Sequence, residues 1–226
     1  MLALLCGQML CSCTTRREAS TLTIAQSNPS TADWAYTQVY HDRRDTLSFR
    51  PKAVFYGDSI TQGWVDEPFF ASHSSIPMGV SGMTTAQLLC RFRTDVLNIA
   101  PEKVVIMCGT NDIAQNIGPV EYEVAVGNIA SMCDLARYNG IEPIVCSVTP
   151  CSGYSWRPDF EDPAGKVIAF NDILGKYCEE SGVRYVDYHS ALADEDGGIR
   201  AEYTRDGCHL TPAGYKVLES IIERYL

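Results

Sequence analysis

The chain of 226 residues is long enough to bury one sizeable core, and we expect a single domain behind a short leader. Hydrophobic residues make up 46% of it and charged residues 20%, which excludes disordered, collagen-like and coiled-coil proteins. Acidic residues outnumber basic ones by 28 to 18, and the net charge of -10 argues against a nucleic-acid partner. No apolar run reaches the roughly 20 residues of a membrane-spanning helix.

Residues 1–30 have the pattern of an export signal followed by a polar tether. The first ten residues are apolar, and polar residues dominate from Thr14 to Ser30. The segment Leu10-Cys11-Ser12-Cys13 resembles the lipobox of bacterial lipoproteins, which implies a lipid on Cys13. We therefore expect a protein exported to the bacterial periplasm or cell surface and anchored to the membrane by lipid. The alternative is a frayed tail on a cytoplasmic protein, and in either case the domain occupies residues 31–226.

Short apolar or β-branched runs alternate along the chain with longer helical patterns. The predicted strands are Ala53–Tyr56, Ser75–Met78, Lys103–Met107, Pro143–Val148 and Arg184–Tyr188. The predicted helices between and after them are Thr84–Ile99, Val120–Asn139, Pro163–Ser181 and Pro212–Leu226. An amphipathic helix from Thr31 to near Pro51 should pack on the outside of the domain. The alternation indicates βαβ units, and we predict an α/β, flavodoxin-like three-layer sandwich with a five-stranded parallel sheet.

Ten cysteines occur without any C-x-x-C pair, and only four histidines accompany them, which argues against a structural zinc site. We therefore expect no metal. Seven of the ten follow the leader, several within apolar segments, and most should be buried thiols that pack as small hydrophobic residues. A disulfide that includes Cys146 or Cys151 is the alternative.

Ligands of parallel α/β sheets bind beyond the carboxyl ends of the strands, so the residues that follow each strand are candidate site residues. Gly57-Asp58-Ser59 follows the first predicted strand and should place Ser59 at the N-terminus of a helix. There its hydroxyl could act as a nucleophile, and its backbone N–H could stabilise an oxyanion together with the positive end of the helix dipole. The alternative is that Ser59 only caps the helix.

A serine nucleophile needs a base to remove its proton, and that base needs a carboxylate to fix its tautomer. Asp206 and His209 are three residues apart in one predicted turn, just before a predicted helix, so their side chains can lie within hydrogen-bond reach. A surface loop without function is the alternative for this pair taken alone. Together with Ser59, the pair predicts a nucleophile, a base and an orienting acid at one edge of the sheet.

Two further residues at strand ends are candidate oxyanion donors. Gly82 should donate its backbone N–H at a point where a side chain would block the approach of substrate, and Asn111 should donate through its side-chain amide. Taken singly, each residue is explained as well by a tight turn or by a hydrogen bond within its own loop. Their expected position beside Ser59 in one cleft supports the oxyanion role.

These motifs together resemble a known superfamily. The set Gly57-Asp58-Ser59, Gly82, Gly109-Thr110-Asn111-Asp112 and Asp206-x-x-His209 resembles the SGNH superfamily of GDSL esterases and lipases, from about Val54 to the C-terminus. The stretch from Gly79 to Phe92 further resembles the platelet-activating-factor acetylhydrolase-like bacterial branch. The resemblance implies a flavodoxin-like fold with Ser59 as nucleophile, His209 as base, Asp206 as orienting acid, and an oxyanion hole formed by Ser59, Gly82 and Asn111.

The expected activity is that of a cofactor-independent carboxylic-ester hydrolase that forms an acyl-enzyme on Ser59. The expected partner is a small-molecule or oligosaccharide ester, from which short acyl groups such as acetyl are removed. Trp64, Tyr154 and Trp156 are predicted to form the substrate wall. The alternatives are lysophospholipase or thioesterase activity on longer acyl chains, acyl transfer to sugar alcohols, and a non-catalytic carbohydrate-binding module. The sequence does not predict an oligomeric state.

Overall fold

The computed structural model of the protein describes residues 33–64 and 68–226, apart from the side chain of Arg43. Its strands are β1 (Ala53–Gly57), β2 (Ile76–Gly79), β3 (Lys103–Met107), β4 (Glu142–Cys146) and β5 (Arg184–Val186). They form one parallel sheet in the order β2-β1-β3-β4-β5. This is the strand order of the flavodoxin fold, so the predicted fold class is confirmed.

The helices of the described residues are α1 (His41–Asp45), α2 (Ser59–Gln62), α3 (Pro68–Ser72), α4 (Thr85–Phe92), α5 (Thr110–Ile113), α6 (Tyr122–Tyr138), α7 (Pro163–Ser181), α8 (His189–Leu192) and α9 (Pro212–Ile222). A π-helical turn, Arg93–Leu97, extends α4, and a 3₁₀ turn, Glu223–Tyr225, extends α9. The four long predicted helices are therefore confirmed, with ends shifted by no more than two residues. Helices α3, α5 and α8 are too short for a hydrophobic period to reveal.

Apolar side chains bury both faces of the sheet. Successive residues of β1 point to opposite faces, so Val54 and Tyr56 join one core layer, and Ala53 and Phe55 join the other. The first layer is completed by apolar residues of α4, α6 and α7, and the second by those of α3 and α9. Every residue of β1 is buried, as expected for a central parallel strand that is covered by helices on both sides.

Strands β4 and β5 end two residues earlier than the sequence predicts, because side chains bind the backbone groups that would continue them. Asn171 of α7 accepts a hydrogen bond from the N–H of Val148 and donates one to the carbonyl of Val148, both at 2.9 Å. The Ser147 hydroxyl accepts hydrogen bonds from the N–H groups of Tyr188 and His189, each at 2.9 Å. Both strands therefore leave the sheet early at its carboxyl edge.

The predicted helix from Thr31 to near Pro51 is wrong for its described part, since only α1 is helical and turns precede it. Tyr40, directly before α1, has a positive φ of 70°, which is incompatible with a continuing helix. The buried guanidinium of Arg91 instead donates hydrogen bonds to carbonyl oxygens of this segment, including those of Ala35 and Val39. A buried arginine of α4, rather than an amphipathic face, therefore holds the segment in place.

Residues Asp33–Leu226 form one compact unit. The predicted leader and Cys13 lie outside the described residues. Within the described ranges, no helix combines the length and the apolar character that crossing a membrane requires. The seven cysteines described there are free thiols, six of them buried, and neither Cys146 nor Cys151 is paired with another described cysteine.

Candidate active site

Ser59 lies at the carboxyl edge of the sheet, where the chain leaves β1 and enters the one-turn helix α2. Strands β1 and β3 are neighbours in the sheet, but the chain continues from β1 to β2 on one side and from β3 to β4 on the other. Such a reversal of direction is called a switch point, and α/β sheets bind ligands there. Asp58 caps α2, because its Oδ1 atom accepts a hydrogen bond from the N–H of Ile60 at 3.0 Å. The capping role that was the alternative for Ser59 thus belongs to Asp58, and the Ser59 hydroxyl can contact other groups.

His209 and Asp206 reach Ser59 from the far end of the chain. The Nε2 atom of His209 lies 3.0 Å from Ser59 Oγ, and its Nδ1 atom lies 2.8 Å from Asp206 Oδ2. With the proton on Nδ1, the ring donates to the carboxylate and accepts from the serine hydroxyl, which is the tautomer a general base requires. The side chains of His209 and Asp206 are 32% and 29% exposed, so solvent reaches the pair. We refer to the three residues as the candidate triad.

The Asp206 carboxylate also shapes the loop that carries it. Its Oδ1 atom accepts hydrogen bonds from the N–H groups of Cys208 (3.1 Å) and His209 (2.8 Å), and Gly207 adopts a left-handed φ of 90°. Partial burial raises the pKa of Asp206, but the hydrogen bonds from His209 and Cys208 lower it more, so the net pKa lies below its ordinary value. Asp206 therefore stays ionised beside the ring that it orients.

Two of the predicted oxyanion donors are backbone N–H groups, those of Ser59 and Gly82. The N–H groups of Ser59 and Gly82 have no hydrogen-bond acceptor among the residues that the structure describes. Gly82 follows β2 with a φ of 78°, a left-handed conformation that favours glycine. Among the residues that the structure describes, none lies within 4 Å of a Cβ atom built at this position, apart from the chain neighbours of Gly82. The backbone conformation alone thus favours glycine here. Access for substrate, the reason predicted from the sequence, stays a prediction.

Asn111 lies in the first turn of α5, just after β3, and is only 2% exposed. Its Nδ2 atom donates to the carbonyl of Met83 (3.0 Å), and its Oδ1 atom accepts from Nδ2 of Asn116 (2.7 Å). One of the two Nδ2 hydrogens remains for a ligand. Asp112 accepts hydrogen bonds from the N–H (2.9 Å) and the hydroxyl (2.7 Å) of Thr85, so α5 is bound to the first residue of α4.

The three aromatic residues predicted to form the substrate wall have different surroundings. The ring centroid of Trp156 lies 5.6 Å from that of His209, and 39% of Trp156 is exposed. Tyr154 is buried and packs against Trp156, with ring centroids 5.1 Å apart. Trp64 is wrong as a wall residue: it is buried in the second core layer, and its Nε1 atom donates to Glu219 Oε1 at 3.3 Å. Trp156 alone of the three can contact a ligand at the candidate triad.

Asn116 contacts both Trp156 and Asn111 but matches no sequence motif. Its Oδ1 atom accepts a hydrogen bond from Nε1 of Trp156 (2.9 Å), while its Nδ2 atom binds Asn111. It follows a one-turn helix in an irregular segment, so neither a helical nor a strand period marks it. In the part of the chain that the structure describes, no group of three or more His, Cys, Asp or Glu side chains is arranged to hold a metal ion.

Comparison with known proteins identifies the family. The sequence profile of the GDSL-like Lipase/Acylhydrolase family matches residues 55–217, which is more than half of the chain and includes the whole candidate triad. The chain belongs to the GDSL-like lipase/acylhydrolase family. The predicted resemblance to GDSL esterases and lipases is thereby confirmed, and the family supports a hydrolase.

Solved structures agree with this GDSL assignment. A candidate acylhydrolase from Bacteroides fragilis NCTC 9343 has a TM-score of 0.82 and 38% identity, with 85% of this chain and 96% of that chain covered. A GDSL-like lipase from Bacteroides thetaiotaomicron VPI-5482 has a TM-score of 0.80 and 36% identity, with 84% and 97% covered. Among curated proteins, the uncharacterized lipoprotein YqeF of Bacillus subtilis (strain 168) is 26% identical, with 73% of this chain and 85% of that protein covered.

The buried carboxyl of Asp58 predicts a pH-dependent stability. Burial raises its pKa to about 6 from an ordinary value of 3.8, although the hydrogen bond from Ile60 and the nearby His209 lower it. Folding therefore favours the protonated carboxyl. The contribution of Asp58 to the free energy of unfolding is fully present below its unfolded-state pKa and is lost as the pH rises through its folded-state pKa. From pH 4 to pH 7 we expect Asp58→Asn to gain up to about 3 kcal/mol relative to wild type, measured by urea unfolding.

Asp206→Asn is the matched control, because the pKa of Asp206 is shifted in the opposite direction. This variant should lose stability relative to wild type as the pH rises, since the ionised form of Asp206 is the one that folding favours. If the free energies of unfolding of Asp58→Asn and wild type instead change with pH in parallel, folding does not raise the pKa of Asp58.

Proposed function

We propose that the protein is a serine carboxylic-ester hydrolase that works through an acyl-enzyme on Ser59. The observation that carries the proposal is the His209 ring, which lies 3.0 Å from Ser59 Oγ and 2.8 Å from Asp206 Oδ2 at the switch point of the sheet. A serine hydroxyl becomes an effective nucleophile when a neighbouring base takes its proton. This geometry supplies both the base and the group that orients it.

In the acylation step, Ser59 Oγ attacks the carbonyl carbon of the ester while His209 Nε2 takes the hydroxyl proton. The charge that develops on the carbonyl oxygen is stabilised by the N–H groups of Ser59 and Gly82 and by the amide of Asn111, each contributing roughly 10²–10³ in rate. The alcohol leaves with the proton from His209. Water then attacks the acyl-enzyme with help from the same base, and Asp206 stabilises the imidazolium in both steps.

Replacement of the nucleophile tests this mechanism. Ser59→Ala should lower kcat on nitrophenyl acetate by on the order of 10⁶, because the base and the oxyanion donors then lack a nucleophile to act on. A fluorophosphonate probe should label the wild type and leave the variant unlabelled. Ser131→Ala, which changes an exposed serine of α6, is the matched control and should keep full activity. Undiminished ester hydrolysis by Ser59→Ala would refute the mechanism.

A surface groove that meets the candidate triad at Trp156 supports a carbohydrate ester as substrate. A groove of about 520 Å³, here called the Trp156 groove, is lined by Gln115, Trp156, Arg157, Pro158, Asp159, Phe160, Glu161 and Lys166. Two acidic and two basic side chains balance each other there, which suits a neutral polar ligand. The exposed indole offers a flat apolar surface on which a sugar ring can stack. A long acyl chain would instead favour a mainly apolar lining.

We therefore infer that the enzyme removes short acyl groups, acetyl above all, from carbohydrate. Activity on nitrophenyl esters should fall as the acyl chain lengthens from C2 to C12. Trp156→Ala should raise KM several-fold for acetylated oligosaccharides but not for nitrophenyl acetate, because only the former places a sugar on the indole. Trp34→Ala, which removes another exposed tryptophan, is the matched control and should leave both KM values unchanged.

Other results of these assays would favour a different function. A preference for lysophospholipids or long-chain acyl thioesters would indicate a lysophospholipase or thioesterase. Transfer of the acyl group to added sugar alcohols in place of water would indicate an acyltransferase. Binding of oligosaccharides without probe labelling of Ser59 would indicate a non-catalytic carbohydrate-binding module.

We also propose that the protein is an exported lipoprotein that carries its lipid on Cys13. The lipobox-like segment Leu10-Cys11-Ser12-Cys13 supports this, as does the similarity to a Bacillus subtilis protein that bears the name of a lipoprotein. A lipid anchor would place the domain at a membrane surface, and the polar stretch after Cys13 would separate the two.

Mass spectrometry of the membrane fraction tests the anchor. Full-length protein expressed in a bacterium that processes lipoproteins should begin at an acylated Cys13. Cys13→Ala should lose the modification and leave the membrane fraction. Cys11→Ala, two residues away, is the matched control and should be processed as the wild type is. Wild-type protein that is unacylated, or Cys13→Ala that stays on the membrane, would contradict the proposal.

A further inference from the structure

A line of hydrogen bonds connects the exposed ring of Trp156 with the buried amide of Asn111. Trp156 Nε1 donates to Asn116 Oδ1 (2.9 Å), and Asn116 Nδ2 donates to Asn111 Oδ1 (2.7 Å). Asn111 Nδ2 in turn donates to the carbonyl of Met83 (3.0 Å). Each amide therefore accepts on one side and donates on the other. We refer to Trp156, Asn116 and Asn111 as the Asn116 network.

The direction of these hydrogen bonds fixes the orientation of the Asn111 amide. A rotation of the amide by 180° would place its oxygen against the carbonyl of Met83 and its NH₂ group against the NH₂ group of Asn116, so two attractive contacts would become repulsive. The observed orientation offers an N–H to a developing oxyanion, whereas the rotated one would offer an oxygen. Asn111 is 2% exposed whereas Asn116 is exposed, so the hydrogen bonds lead from the surface to the buried amide.

The turn that carries Asn116 is held from two sides. The N–H of Asn116 donates to the carbonyl of Asn111 at 3.0 Å, and the preceding residue, Gln115, has a left-handed φ of 56°. From the loop after β4, Arg157 Nη1 donates to the carbonyls of Ala114 (2.9 Å) and Gln115 (3.1 Å). The loop after β4 and the turn after α5 are therefore bound together at two points, the arginine and the indole.

We propose that Asn116 is a positioning residue for ester hydrolysis and that the indole N–H of Trp156 acts through it. The inference rests on the proposed function, because Asn111 meets an oxyanion only if Ser59 attacks an acyl group. Asn116 touches no reacting atom and acts by orienting the Asn111 amide. The Trp156 indole then has two separable roles, since its ring face contacts the sugar and its N–H supports the oxyanion hole.

Steady-state kinetics on nitrophenyl acetate separate this role from a purely structural one. Asn116→Asp keeps the shape of the side chain and the acceptor for Trp156, but its carboxylate cannot donate to Asn111. We expect kcat to fall roughly 10- to 100-fold with KM within twofold, a smaller effect than loss of an oxyanion donor itself. Asn116→Ala should behave alike, and Trp156→Phe, which keeps a ring without the N–H, should lower kcat less.

Asn139→Asp is the matched control, because Asn139 is an exposed residue at the end of α6, and this variant should keep the wild-type kcat. In the Asn111→Ala background, Asn116→Asp should cause no further loss of kcat, since the amide that it orients is gone. An equal loss in both backgrounds would overturn the inference, as would a wild-type kcat for Asn116→Asp.

Labelling of Ser59 by a fluorophosphonate distinguishes failure of this inference from failure of the proposed function. A wild type that is labelled and active, with Asn116 variants that are equally active, would reject the Asn116 network alone. A folded wild type that is neither labelled nor active on any ester would reject the esterase mechanism and the positioning role together.

Discussion

The hydrogen bond between His209 Nε2 and Ser59 Oγ joins residues 150 positions apart, and the fold fixes both of its ends. Ser59 is held by the buried strand β1 before it and by the Asp58 cap on α2. His209 precedes α9, whose Tyr215 hydroxyl donates to the carbonyl of Ile60 in α2 at 2.8 Å. The first and last βα units thus contact each other directly beside the site. The distance between nucleophile and base is therefore a property of core packing and not of one flexible loop.

The oxyanion side of the site depends on a different kind of contact. Side chains bind backbone groups of segments that follow different strands. Gln62 Oε1, at the end of α2, accepts from the N–H of Ser81 (2.6 Å), and Asp112 of α5 accepts from the N–H of Thr85 (2.9 Å) at the start of α4. The contact between Asp112 and Thr85 is buried, and a buried polar group that loses its partner costs about 1–3 kcal/mol, so α4 and α5 have few alternative arrangements relative to each other. Rigid donors stabilise a transition state better than mobile ones, because they need no reorganisation as charge develops.

The elements that the sequence predicts correctly are those governed by local rules. A fully buried strand is marked by a continuous apolar run, and a long helix by the helical spacing of its apolar residues. A serine that follows such a strand, or a histidine that precedes such a helix, can therefore be placed at an edge of the sheet. Whether Trp64 and Trp156 are buried depends instead on distant residues, since both lie in segments beyond the carboxyl end of a strand but only Trp64 is covered by α3 and α9. The predicted helix before β1 fails for a related reason, because the guanidinium that binds its carbonyls, that of Arg91, lies in another element.

Asp58 shows how the site and the stability of the domain oppose each other. Ionising this buried carboxyl costs about 3 kcal/mol at neutral pH, whereas its cap on α2 contributes only about 1 kcal/mol. An asparagine would offer the same acceptor without the cost, so capping alone does not account for an acid here. The nearby His209 lowers the pKa of Asp58, but not by enough to cancel the effect of burial. The site therefore keeps a buried acid beside the nucleophile, at a cost that the two buried core layers can offset in a domain stabilised by roughly 5–15 kcal/mol.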